Sequence, residues 1–505
     1  MIADQQRFIL IAGASGYVGA RLAPRLLDAG YHVRTLARTP AKIASQPWGK
    51  HPRLQIVQGD VLDPETLQAA LSDCHAAFYL VHSMAAAVKD FAAVDRTAAE
   101  NFVTAATRAK VERIIYLTGL GEETDQLSEH LRSRAEVAHI FQQGAVPATI
   151  LRAGVILGSG SASFEILRYL IDRLPVMVTP RWIDTPCQPI SIVNVLNYLV
   201  GTLTTPQTIG ETYDIGQEEI ISYRKLMEVY ADEAQLRRRI VITVPVLTPR
   251  LSSYWINLVT PLPAAIARPL VEGLRNPVIC HDTRIRTLIP QHLLGCKEAI
   301  HQALEEIRSG QVVSSWRDTG TIPPAEWRDN SDPKWAGGTC YIDARTIEIE
   351  TKSLPLWRAI TSLGGSQGWY FADFLWQIRG LADRIVGGVG LQRGRRCPID
   401  LRIGDAIDFW RVAKLQEETC LLLVAEMKVP GVATLEFTIT RISDGIFRLQ
   451  QTARFLPRGL AGILYWYSVL PAHHLVFNGM LKGIAAASGG RIKNGPDRIE
   501  PAKLK

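Results

Sequence analysis

The chain has 505 residues, 47% hydrophobic and 21% charged, with a formal net charge of +7 at pH 7. That length exceeds one ordinary core and implies two or three domains. The modest charge, with no basic motif interleaved with aromatics, argues against a nucleic-acid partner, so clusters such as Arg237-Arg238-Arg239 and Arg393, Arg395 and Arg396 read as solvated faces.

The opening residues Met1 to Gln6 lack a charged-then-apolar secretory signal. The seven cysteines are scattered and form no C-x-x-C pair. Together these lead to the expectation of a cytoplasmic protein with neither a disulfide frame nor a zinc site. The first apolar run, Arg7 to Ala12, flows into Gly13-Ala14-Ser15-Gly16-Tyr17-Val18-Gly19 and then an amphipathic helix over 17–29. Strand, glycines at three-residue spacing and helix form the front end of a dinucleotide site. One glycine permits the turn, one lets backbone approach a pyrophosphate, and one allows helix–strand packing. The diphosphate then meets the amino end of the helix, where free amides and the dipole favour an anion.

Further strands are expected at 31–36, 54–57, 76–81 and 113–118, with helices at 64–73 and 91–109. A helix at about 130–143 leads to a sixth strand at 148–152. This β-α alternation predicts an α/β fold, a doubly wound parallel Rossmann sheet. Its domain is expected over 1–308, with a core of 7–220 and a cleft-forming part at 155–308 that includes a late strand at 211–215. Residues 309–340, rich in Gly and Pro but carrying Trp316, Trp327 and Trp335, read as a linker. A strand-rich α+β domain is expected over 341–490, with antiparallel runs at 405–415, 419–429, 432–442 and 446–455, and then a tail at 491–505. Residues 459–479 contain no Asp, Glu, Lys or Arg, but Pro471, His473, His474 and Asn478 interrupt the run. A buried core helix is the preferred reading, with membrane-surface contact through 459–485 as the alternative.

Between Asp28 and Asp60 there is no acidic residue to hold a ribose 2′-hydroxyl; Arg34, Arg38 and Lys42 stand there instead. A guanidinium suits a 2′-phosphate, so NADP is expected over NAD, with Arg38 the best-placed residue. Asp60, in Gly59-Asp60-Val61, suits either the adenine amine or a helix cap ahead of Asp63-Pro64-Glu65.

Four motifs resemble the atypical and extended short-chain dehydrogenase/reductases, including the branch related to NmrA. They are the glycine segment, Gln58-Gly59-Asp60, Tyr116-Leu117-Thr118-Gly119, and Leu151-Arg152-Ala153-Gly154-Val155-Ile156-Leu157-Gly158. The C-terminal part resembles a bacterial domain of unknown function with a START-like, helix-grip outline. The two joined look like a family of cytoplasmic NAD(P)-binding proteins grouped with the nucleotide-binding accessory subunit of respiratory complex I. The resemblance implies cofactor contacts at Gly13, Ser15, Gly16, Tyr17, Val18, Gly19, Arg38, Asp60, Val61, Val81, His82 and Arg134. It also implies a Tyr-x-x-x-Lys pair on the helix after the fifth strand, where this chain has His130 and Arg134, and matches Thr118 to the hydroxyl that bonds a substrate carbonyl. His130 can pass a proton, although a neighbouring cation keeps it mostly neutral. Arg134 can hold ribose hydroxyls.

In the second domain Trp369, Tyr370, Phe371, Phe374, Trp376, Phe409, Trp410, Tyr465, Trp466 and Tyr467 suit either core packing or a cavity for a bulky apolar ligand. Asp405, Asp408 and Glu426 are candidate polar orienters. Three readings follow: an NADPH-dependent oxidoreductase acting on an apolar carbonyl or quinone-like compound; a non-catalytic NADP(H) sensor that engages a lipid or a protein complex; and a membrane-surface chaperone.

Overall fold

The computed structural model describes residues 7–81, 91–121, 129–244, 272–273, 276–316, 340–391, 395–398 and 400–499. The chain divides into two compact units, Met1–Gly320 and Thr321–Lys505.

The first unit is built on a seven-stranded sheet, all parallel. Its strands are β1 (Phe8–Ala12), β2 (His32–Ala37), β3 (Leu54–Gln58), β4 (Cys74–Tyr79), β5 (Arg113–Gly119), β6 (Ala148–Ala153) and β7 (Thr212–Ile215). They lie in the order β7-β6-β5-β4-β1-β2-β3. Helices α1 (Gly19–Asp28), α2 (Pro40–Ala44), α3 (Pro64–Leu71), α4 (Phe91–Arg108) and α5 (Glu129–Gln143) connect them. β1 is apolar throughout because both of its faces are covered. Ile9 and Ile11 join the cluster under α1, while Leu10 and Ala12 join the one under α3, α4 and α5. In the second cluster Tyr79, Phe102 and Phe141 pack edge-on, with ring centroids 4.9 to 6.2 Å apart. Strand order reverses at β1, between β2 and β4, so a crevice opens at the carboxyl ends of β1 and β4.

The cleft-forming part adds α6 (Ala162–Arg173), α7 (Ile192–Thr204), α8 (Tyr223–Glu233) and α9 (Cys296–Arg308). Arg21 on α1 ties this addition to the nucleotide helix. The guanidinium is buried and donates to the Ser159 carbonyl (2.9 Å), Ser159 Oγ (3.0 Å), Ser314 Oγ (3.1 Å) and Glu306 Oε2 (3.2 Å). Ser314 in turn donates to the Tyr17 carbonyl at 2.7 Å, and the Trp316 amide donates to the Gly160 carbonyl at 2.8 Å. The stretch read as a linker from 309 therefore begins as an ordered strap of the first unit. Glycine and proline mark a departure from regular structure, but do not reveal that side chains can pin the loop that follows.

The second unit is a seven-stranded antiparallel sheet. Its long strands are β8 (Tyr341–Glu350), β9 (Trp410–Gln416), β10 (Cys420–Ala425), β11 (Gly431–Ser443), β12 (Ile446–Pro457) and β13 (Arg491–Ile499). Two further helices, α10 (Ser353–Thr361) and α11 (Asp373–Ile385), precede β9, and α12 (Gly459–Ala487) precedes β13. Residues 491–499, expected in a tail, instead form the edge strand beside β8. Their polar sequence, with Pro496, fits a strand paired on one side only.

Side chains of the sheet and of α12 share one core. Ile347, Leu421, Phe437, Leu449, Met480, Leu481 and Ile484 are all fully buried in one cluster. The expected aromatic set divides: Trp369, Trp376, Phe409 and Trp410 pack together, with Trp369 stacked on Trp376 at 4.7 Å, whereas Phe374 and Tyr467 face solvent. The expectation that α12 is a buried core helix holds only for its second half, because Leu460, Leu464 and Tyr467 in the first half are exposed.

Candidate functional site: the glycine turn and the ends of β4 and β5

Gly13 follows β1 with φ +92°, and a Cβ there would stand 2.6 Å from the Leu80 carbonyl oxygen. At Gly19 a Cβ would stand 2.3 Å from the Gly13 carbonyl oxygen. These two glycines let strand, turn and helix close on one another. Gly16 differs. A Cβ there meets only the Gly13 oxygen, at 3.2 Å, so the protein itself nearly tolerates a side chain and the space beside Gly16 is left for another molecule. No side chain caps the amino end of α1, where Val18 occupies the N-cap. Helix amides without a side-chain acceptor beside a bare glycine fit a diphosphate. Ser15, Tyr17 and Val18 line this turn and are all partly exposed.

The expected basic cluster after β2 separates. Arg34 is buried in the sheet, donating to Gln55 Oε1 (2.7 Å) and the Ala70 carbonyl (2.9 Å), with its guanidinium 4.3 Å from the Phe8 ring centroid. Lys42 is buried on α2. Only Arg38, one residue beyond the end of β2, is exposed at the carboxyl edge of the sheet. Asp60 Oδ1 accepts the Leu62 amide at 3.0 Å, and the cap of α3 is Asp63, whose Oδ1 accepts the Glu65 amide. Asp60 is therefore a turn-former one loop ahead of the cap, with Val61 packed against the apolar cluster.

Arg134 lies across the crevice on α5. Its Nη2 donates to the Leu117 carbonyl (2.8 Å), its Nη1 to the Val81 carbonyl (3.4 Å), and its guanidinium carbon lies 5.3 Å from the Tyr116 ring centroid. It thus joins the chain leaving β4 to the end of β5. Thr118 is buried, and its hydroxyl has no hydrogen-bond partner among the described residues. Burial pushes the Tyr116 phenol above its ordinary value although Arg134 opposes this, so Tyr116 is a protonated core residue. His130 belongs to the first turn of α5, four residues before Arg134; its side chain and His82 lie outside the described residues.

Two polar anchors escaped the sequence reading. Arg152 on β6 donates to Asp214 Oδ1 (2.7 Å), and Asp214 Oδ2 accepts the His281 and Asp282 amides (2.8 and 3.1 Å). Gln188 Oε1 accepts the Cys280 amide at 2.6 Å, while its Nε2 donates to the Gln217 carbonyl at 3.1 Å. These contacts hold 278–282 against the carboxyl end of the sheet. The signal was Arg152 inside an otherwise apolar strand, whose charge demands a partner.

The three candidate carboxylates of the second unit are engaged internally. Asp405 pairs with Arg396 (3.0 Å), and Glu426 with Arg411 (2.9 Å). Asp408 accepts Trp369 Nε1 at 2.9 Å, and burial pushes its carboxyl up to about 6.

A family described as NAD(P)H-binding matches residues 13–167. A family described as a protein of unknown function (DUF2867) matches residues 335–480. A (4-alkanoyl-5-oxo-2,5-dihydrofuran-3-yl)methyl phosphate reductase of Streptomyces griseus is 30% identical over 225 residues, covering 43% of this chain and 70% of that protein. Cinnamoyl-CoA reductase 1 of Oryza sativa is 32% identical over 121 residues, 23% of this chain. A 3 beta-hydroxysteroid dehydrogenase/Delta 5-->4-isomerase of Mycobacterium tuberculosis is 33% identical over 117 residues, 21% of this chain. The chain spans only 36% and 30% of the length of these last two relatives. Among solved structures, an Escherichia coli NADPH-dependent quinone oxidoreductase with NADPH aligns at 18% identity and TM-score 0.48, covering 58% of this chain and 98% of that one.

Two predictions follow from this geometry. Gly16→Ala leaves the first unit folded but lowers nucleotide affinity at least about tenfold by titration calorimetry, because the methyl fills the space beside the diphosphate. Gly13→Ala and Gly19→Ala instead lower the melting temperature, because the same methyl meets backbone oxygen. Asp408 has a raised folded pKa, so its contribution is fully present below its unfolded value of 3.8 and is lost as pH rises through about 6. Asp408→Asn therefore stabilises the protein relative to wild type at pH about 7.5, by up to roughly 3 kcal/mol for a two-unit shift. Denaturant midpoints of the two proteins converge near pH about 4.

Proposed function

Since the chain belongs to a reductase family with an NAD(P)H-binding domain, we propose that it is an NADPH-dependent oxidoreductase reducing an apolar carbonyl or quinone-like compound. The observation that carries this reading is the buried Thr118 hydroxyl at the end of β5, with Arg134 gripping the preceding carbonyl. The relatives' names, with cinnamoyl and steroid substrates, support an apolar carbonyl class.

When bound, a reduced nicotinamide supplies hydride equivalents; the chain's own residues do the rest. The uncapped amino end of α1 and Gly16 hold the diphosphate, and Arg38 is placed for a 2′-phosphate. Arg134 fixes the ends of β4 and β5 and presents positive charge to ribose hydroxyls. Thr118 donates a hydrogen bond to the substrate oxygen, a bond that strengthens as negative charge develops there. The proton comes from His130 or from water, since an arginine does not titrate in proteins.

A second reading is favoured by His130 standing where the family's tyrosine is expected: an NADP(H)-holding sensor or protein-complex module that has lost redox chemistry. Oxidation of NADPH by purified protein, followed by absorbance against a panel of enals, aromatic ketones and benzoquinones, separates the two. Turnover is expected, with Thr118→Ala and His130→Phe each lowering kcat by about a hundredfold while NADPH affinity stays within about twofold. No turnover with any compound, despite measurable NADPH binding, selects the sensor. Arg38→Ala weakens NADPH about tenfold more than NADH by calorimetry; equal losses remove the phosphate role.

A further inference from the structure

The second unit presents apolar side chains where its core has no use for them. Among the described residues, half of the exposed large apolar side chains lie within 371–386 and 460–475. On α11, Phe374, Ile378 and Ile385 share one helical face; on α12, Leu460, Leu464 and Tyr467 do the same, at i, i+4, i+7. All six are 58% to 78% exposed. The two helices run antiparallel and approach at two points: Phe371, just before α11, abuts Gly479, and the Arg379 guanidinium lies 5.3 Å from the Tyr465 ring centroid. The exposed residues of both helices thus lie in one region of the second unit.

Charge at this surface has one prevailing sign. Residues 459–487 include no Asp or Glu. Of the two carboxylates of α11, Asp383 is buried and accepts the Lys428 and Gly390 amides at 2.6 and 2.8 Å, whereas Asp373, at the amino end, is exposed and accepts the Trp369 amide at 2.8 Å. At the rim stand Arg458, exposed immediately before α12, and Lys428, whose Nζ reaches the Val386 carbonyl at 3.2 Å beyond the end of α11. Apolar helix faces rimmed by cations complement an anionic lipid headgroup layer.

By length and composition α12 could cross a bilayer. Its second half, however, is built into the core through Val476, Phe477, Met480, Leu481 and Ile484. The half that remains, 459–475, is about 25 Å long at 1.5 Å per residue, shorter than a spanning helix requires. We infer that α11 and the first half of α12 form a shallow, in-plane docking surface for an anionic membrane, with Phe374, Ile378, Ile385, Leu460, Leu464 and Tyr467 entering the headgroup–acyl boundary. This inference is independent of the nucleotide site.

The test is co-sedimentation of the full chain with vesicles of phosphatidylcholine alone and of phosphatidylcholine with phosphatidylglycerol. Binding to the anionic vesicles is expected, weakened by salt. The paired substitution Ile378→Glu with Leu464→Glu is expected to lower it at least about tenfold, and Arg458→Glu to lower it less. Because all three positions are exposed, melting curves of the variants should match wild type. Absence of binding to anionic vesicles overturns the inference, as does equal binding of the paired variant or equal binding to neutral vesicles. So does concentration-dependent self-association that the paired substitution abolishes without any vesicle binding, which would identify a second copy of the chain as the occupant.

Discussion

The first unit depends on how closely the start of α1 approaches the end of β1. That approach exists because Gly13 and Gly19 have no Cβ to collide with the Leu80 and Gly13 carbonyls. It sets the uncapped helix end at the crevice where strand order reverses, so the anion site is made from backbone and is insensitive to which catalytic side chains lie further along. Arg21, in the first turn of α1, then fastens the same helix to Ser159, Glu306 and Ser314. Four acceptors converge on Nε and Nη2 of one buried guanidinium. Loss of any one leaves polar atoms unpaired in a dry place. The dinucleotide turn and the cleft-forming addition are thus held by one short helix.

The first sheet was readable because buried parallel strands are continuous apolar runs separated by amphipathic helices, and β1 to β6 fall close to their expected ranges. Direction was not readable. Arg34, Arg38 and Lys42 look equivalent in sequence, but Arg34 sits within β2, in register with Leu10 and Gln55, and is committed to the sheet. Only Arg38, past the strand end, is exposed. The carboxylates Asp405, Asp408 and Glu426 escaped reading for a similar reason: their partners, Arg396, Trp369 and Arg411, were set by pairing and turns that spacing does not encode. Edge strand β13 was missed because a strand with one neighbour needs no apolar face. The Ser314 strap was missed because hydrogen bonds, rather than composition, order it.

Substitution at the helix after β5 carries a consequence for chemistry. A lysine near the nicotinamide ribose can hold hydroxyls and also shift a neighbouring tyrosine; an arginine retains charge and donors but is already committed here to the Leu117 and Val81 carbonyls. Arg134 is therefore a positioning group first. It fixes the strand ends on which Thr118 is carried, and any proton must reach the substrate oxygen by another route. The turn between β1 and α1, by contrast, is built without any residue of α5.

In the second unit, polar and apolar groups have changed their usual places. Beneath α12, Asp343 and Arg345 form a buried ion pair (3.0 Å), and Arg345 also donates to the His474 carbonyl (3.2 Å) and Asn478 Oδ1 (2.7 Å). Burial holds nearby His473 at about 4, neutral at physiological pH. Such a network stabilises little by itself once desolvation is counted, but its directional bonds favour a single rotation and register of the helix over a sheet that is otherwise greasy. With that rotation fixed, Phe477, Met480 and Ile484 must face the sheet, and Leu464 and Tyr467, about three to six turns earlier, emerge on the outside. The exposed apolar face is therefore imposed by the same contacts that complete the core. A helix that only needed solubility would carry polar residues at those positions at no cost to the interior, so their apolar character points to a surface that is covered when the protein works.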